Sequence, residues 1–78
     1  MKVCVDIGSY WPNGLSVNAV YEQLLMQGVK IDRRTLLAAK SGTLSKSDFT
    51  TLIKLRNWVR QLNNDDKLTI DDILKQED

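Results

Sequence analysis

Apolar residues in this chain recur at every second position near its start and at every third or fourth position thereafter. Met1, Val3, Val5 and Ile7 alternate with Lys2, Cys4 and Asp6, which predicts a strand rich in β-branched residues. Such a strand needs a partner, because its backbone donors and acceptors are otherwise unpaired. Gly8, Pro12, Asn13 and Gly14 interrupt the alternation with turn chemistry. From Ser16, a good N-cap, Val17, Val20, Tyr21, Leu24 and Leu25 lie on one helical stripe that Gly28 ends. Asp32 caps a second helix, with Leu36 and Ala39 facing inward and Gly42 as its left-handed end. A third helix is expected from Ser45 or Ser47, with Asp48 three residues after Ser45 in a variant of the capping box. Its stripe, Phe49, Leu52, Ile53, Leu55, Val59 and Leu62, is the longest in the chain. After the breaker "NNDDK", the segment "LTIDDILK" predicts a fourth, short helix capped by Thr69, with Asp72 at N3 and Leu68 stapled onto Ile73. The expected fold is mainly α: a small four-helix helix-turn-helix domain with an N-terminal β-strand, residues 1–14 forming a strand-and-turn arm and residues 15–78 the helical part.

Seventy-eight residues make one domain around one small core, and 42% hydrophobic with 27% charged residues is the composition of an ordinary globule. Cys4 is the single cysteine and there is no histidine, so an internal disulfide and a nucleophile–histidine pair are excluded. A structural zinc site would need an unusual set of carboxylates. No apolar run is long enough to span a bilayer and no signal-peptide pattern opens the chain. The expectation is therefore a cytoplasmic protein that is not an enzyme, with no cofactor and no membrane partner. Asp65–Asp66 and Asp71–Asp72 are adjacent pairs whose side chains diverge on a helix, which suits a solvated loop and a first helical turn better than a catalytic dyad. Trp11 and Trp58 are expected to close the edge of the core.

The net charge of +1 conceals a division along the chain. Residues 30–60 carry eight cations against two acids, and residues 61–78 carry two cations against six acids. A basic middle suggests an anionic partner.

Two helices joined by the short turn "GVKI" would form a helix-turn-helix unit, whose second helix enters the major groove of DNA with its N-terminal residues at the base edges. Arg33 and Arg34 stand at that end, where the helix dipole disfavours cations. Contact with guanine or with phosphate would offset that cost. The stretch "IDRRTLLAAKSGTLSKSDFTTLIKL" resembles the phage-repressor-like (Xre/Cro-type) helix-turn-helix family in Ile31, Asp32, Thr35–Leu36, Ala39, Gly42, Leu52 and Ile53. The final "LTIDDIL" is similar to that family's short last helix, so the resemblance covers roughly residues 16–74. It implies a base-reading helix over Asp32–Ser41, groove-facing Arg33, Arg34 and Thr35, and phosphate contacts from Lys40, Thr43 and Lys46. This chain departs from the family pattern in two places. The strand-like "MKVCVDIGSYWPNG" replaces a complete first helix, and Leu37 and Ala38 stand where the family often places polar base-reading side chains.

These observations lead to the expectation of a small sequence-specific DNA-binding protein, a transcriptional regulator whose partner is double-stranded DNA. Pairing of residues 1–7 with the same strand of a second molecule would make a homodimer and set two recognition helices about 34 Å apart. The alternative is a protein-interaction module, adaptor or antitoxin-like, that keeps the helix-turn-helix scaffold and binds a protein partner. A likeness of "VCVDIGS" to the opening strand and phosphate loop of actin-like ATPases ends there, since those folds need a chain several times longer and the following residues do not continue the pattern.

Overall fold

The computed structural model describes residues 2–45 and 48–77. Three helices, α1 (Val17–Met26), α2 (Arg33–Ser41) and α3 (Phe49–Asn63), pack with a two-stranded antiparallel sheet of β1 (Lys2–Val5) and β2 (Leu74–Glu77). The register is Lys2↔Glu77, Val3↔Gln76, Cys4↔Lys75 and Val5↔Leu74, so the two ends of the chain lie side by side.

The four-helix expectation is corrected at the C-terminus. Only Ile70–Ile73 wind, as a single 3₁₀ turn, and the chain then straightens into β2. The predicted capping contact does form, with the Thr69 amide donating to the Asp72 carboxylate at 2.8 Å. The residues that follow, Leu74, Lys75, Gln76 and Glu77, are all good or fair helix formers, so local propensity favours continuing the helix. Tertiary pairing overrides it. The Asp6 amide donates to the Ile73 carbonyl at 2.8 Å, and the ladder begins there. A helix at this position would leave β1 without its partner.

The same pairing gives β1 a partner within its own chain. One edge of β1 is occupied by β2, and on the other the Val5 amide donates to the Leu44 carbonyl at 2.8 Å. The segment expected to be an arm is instead woven into the core: Val5, Ile7 and Trp11 are buried alongside Val20, Leu24, Leu36, Leu55, Val59 and Ile73. Trp11 and Trp58 meet edge to face, with ring centroids 5.1 Å apart and an interplanar angle of 62°. Burial needs a partner for the Trp11 indole N–H, and it donates to the Leu15 carbonyl at 2.6 Å.

The helix boundaries follow side-chain chemistry. Ser16 Oγ accepts from the Ala19 amide at the start of α1, and Gly28 just beyond its end has φ +80°. At α3 the cap is Asp48, not Ser45; its carboxylate accepts from the Thr51 amide at 3.1 Å, while Ser47 lies outside the described residues. Beginning the helix at Phe49 turns that side chain outward, 67% exposed, whereas Leu55, Trp58 and Val59 form the buried face. The expected inward stripe therefore starts a turn later.

Hydrogen bonds from the Thr51 side chain and then from its amide hold the Asp48 carboxyl below the ordinary aspartate range. A carboxyl lowered by folding contributes stability above its unfolded pKa and loses it as pH falls through the folded one. Between about pH 5 and about pH 2, the stability advantage of the wild type over Asp48→Asn is expected to shrink in urea titrations. A constant difference across that range would show that the ionised cap adds nothing to α3.

Candidate nucleic-acid interface

The second helix is held on its inner face and at both ends. Leu36 and Ala39 are fully buried, and Ile31 just before the helix is buried with them. Asp32 caps the start, its carboxylate accepting from the Arg34 amide at 2.9 Å. The Lys54 ammonium of α3 donates to the Lys30 carbonyl at 3.2 Å and ties down the turn that leads in. At the far end the Ile7 amide donates to the Ala39 carbonyl at 2.9 Å, and Gly42, at φ +74°, lies against Asp6. Gly8 packs so closely on the Lys40 carbonyl that a Cβ there would stand 2.6 Å from it. Arg33, Arg34, Leu37 and Ser41 form the outer, solvent-facing side.

The two adjacent arginines are used differently. Arg33 turns back across α1: its Nε donates to Asn18 Oδ1 at 2.9 Å, and its guanidinium lies 4.1 Å from the centroid of the Tyr21 ring. A cation at a helix N-terminus thus finds part of its compensation inside the molecule, through a hydrogen bond and a cation–π contact. Arg34 is exposed, and among the described residues its side chain has neither a hydrogen bond nor an ion pair. Thr35 is half-buried behind it.

At the other end of α2, Lys40 is half-buried with its ammonium 5.2 Å from the centroid of Trp11. Thr43 is exposed, its hydroxyl donating to the Ala38 carbonyl at 3.4 Å. Lys46 lies outside the described residues. The expected contact residues therefore fall into two groups, Arg33–Arg34–Thr35 and Lys40–Thr43, at opposite ends of a nine-residue helix about 13 Å long.

Two other cations of the basic segment are engaged within the chain. Arg60 Nε donates to the Leu68 carbonyl at 2.6 Å, and Arg56 Nη2 to Asn57 Oδ1 at 3.1 Å. Counting charges along the sequence gives no sign of these uses, nor of Asn18 and Tyr21 as the partners of Arg33. Leu37 is the other residue whose setting becomes evident only here: it is 53% exposed in the middle of the outer face, directly beside the fully buried Leu36.

No family model, curated protein or solved structure matches the chain. Among the described residues, no three His, Cys, Asp or Glu side chains cluster as metal ligands, and no helix is long and apolar enough to cross a membrane.

Proposed function

We propose that this protein binds double-stranded DNA, with the outer face of α2 in the major groove, and acts as a transcriptional regulator by occupying its site. The observation that carries this reading is the asymmetry of α2. Its inner face and both ends are fixed by packing and hydrogen bonds, while Arg34 stands in solvent at its N-terminal end. A rigid helix with a forked cation at that end suits guanine O6 and N7 or a backbone phosphate. Phosphate neutralisation supplies most of the affinity, with Lys40 and Thr43 as the contacts proposed at the other end of the helix. A cytoplasmic setting belongs to the same proposal. A contact between two copies through residues 1–7 would use only the edge of β1 that β2 leaves, where Val5 already pairs with Leu44.

Fluorescence anisotropy with a labelled random duplex tests the reading. Affinity is expected to fall steeply between about 50 and about 200 mM salt, with a log–log slope of about 0.9 for each phosphate neutralised. Arg34→Ala should reduce that slope by about one contact. Arg33→Ala should reduce it less, because Asn18 and Tyr21 already hold that guanidinium. Absence of binding at low salt would sink the proposal.

A protein-interaction module is the second reading, favoured by apolar side chains left in solvent. Met26 is 89% exposed, Phe49 67% and Leu37 53%. An apolar interface would show little of the salt dependence expected for DNA.

A further inference from the structure

Leu37 is 53% exposed in the centre of a helix that is otherwise well sorted into inner and outer faces. It lies outside the buried core cluster, and its neighbours Leu36 and Ala39 fill the inner face of α2. It lies three residues after Arg34, which places both on one side of the helix with their Cβ atoms about 5–6 Å apart. Arg33, the other cation at that end, is engaged with Asn18 and Tyr21. The outer face therefore presents one uncommitted guanidinium and, one helical turn on, one apolar side chain.

In the major groove the one apolar feature of a base edge is the 5-methyl group of thymine. We propose, resting on the DNA-binding reading above, that Leu37 is a specificity-determining residue that covers a thymine methyl in the site, next to the position contacted by Arg34. A polar side chain at Leu37 would seek a hydrogen bond from any of several base edges, whereas leucine gains by excluding water from a methyl group and loses against an exposed amino or carbonyl edge. Arg34, on the same side of the helix and without a partner among the described residues, favours this occupant over an apolar protein surface, which would leave that guanidinium facing apolar groups.

The test begins by selecting bound duplexes from a random library and then replaces each thymine of the selected site, one at a time, with deoxyuridine, which keeps its pairing and lacks only the methyl. At one thymine, wild-type affinity is expected to fall about three- to five-fold, the worth of one buried methyl-sized group. Leu37→Ala, an exposed substitution by a better helix former that should leave the fold intact, is expected to lose a similar factor on the thymine site and to bind the thymine and deoxyuridine versions equally. Tight binding that is indifferent to deoxyuridine at every thymine would overturn the role of Leu37 while leaving DNA binding in place. Failure to enrich any duplex, with no salt-sensitive binding to the random library, would overturn the DNA reading and this inference with it.

Discussion

Gly42→Ala is expected to cost about 2–4 kcal/mol of stability, measured by urea unfolding. Two separate penalties coincide at this position. The backbone sits at φ +74°, where an L side chain is strained, and a Cβ built there would lie 2.9 Å from both Cγ and Oδ2 of Asp6. Gly28 provides the comparison: its φ is +80°, yet nothing lies within 4 Å of where its Cβ would stand. Gly28→Ala should therefore report backbone strain alone, about 1–2 kcal/mol. The excess at Gly42 measures the collision with a carboxylate that is itself employed, since Asp6 Oδ1 accepts from the Gly8 amide at 3.0 Å. A chain of this size has a total stability of roughly 4–12 kcal/mol. A loss at the upper end of the expected range would lower the melting temperature by roughly 15–30 °C. Equal costs at Gly28 and Gly42 would show that Asp6 moves aside freely and that the docking of α2 onto the N-terminal segment is loose. A loose contact would also unsettle Lys40 and Thr43, whose placement depends on how that end of α2 is held.

The second large effect separates two adjacent leucines. Leu36→Ala is expected to destabilise the domain by about 2–5 kcal/mol, because the side chain is fully buried and its removal leaves a cavity among groups that cannot collapse completely. Leu37→Ala, one residue on and 53% exposed, should stay within about 0.5 kcal/mol of wild type. DNA binding should follow a different pattern. Leu36→Ala is expected to lose affinity only in proportion to the fraction unfolded, and so to recover it when cooled or assayed well below its midpoint. Leu37→Ala should lose its factor of affinity while fully folded. Chemical unfolding monitored by Trp11 and Trp58 fluorescence, alongside anisotropy on the same samples, checks both. If Leu37→Ala were the more destabilised variant, the assignment of the inner and outer faces of α2 would be wrong, and the proposed reading face with it.

The candidate interface was legible in outline and not in detail. Arg33 and Arg34 look equivalent along the chain, since both follow the cap and both oppose the dipole. Which of them is free depends on Asn18 and Tyr21, which are 15 and 12 residues away in the chain and reach Arg33 only when α1 and α2 pack. Likewise, a count of cations over residues 30–60 cannot show that Lys54 and Arg60 donate to backbone carbonyls at the turn before α2 and at Leu68. Neither partner carbonyl has a sequence signature, because every residue has one.

Local chemistry by itself determined where the first two helices begin and end. Ser16 and Asp32 have oxygen atoms that accept orphan amides, and Gly28 and Gly42 adopt left-handed backbones that other residues resist. It also determined the inner face of α2, because Leu36 and Ala39 recur at helical spacing. Only the tertiary structure decided the fate of the chain ends. "LKQE" has the propensity of a helix and becomes a strand because β1, more than seventy residues earlier, offers an edge whose hydrogen bonds must be filled. That single pairing turns an expected fourth helix into β2, ties the N-terminal segment to the end of the chain, and gives β1 a partner within one molecule. Propensity is a sum of small local terms, and in this molecule a non-local ladder outweighs it.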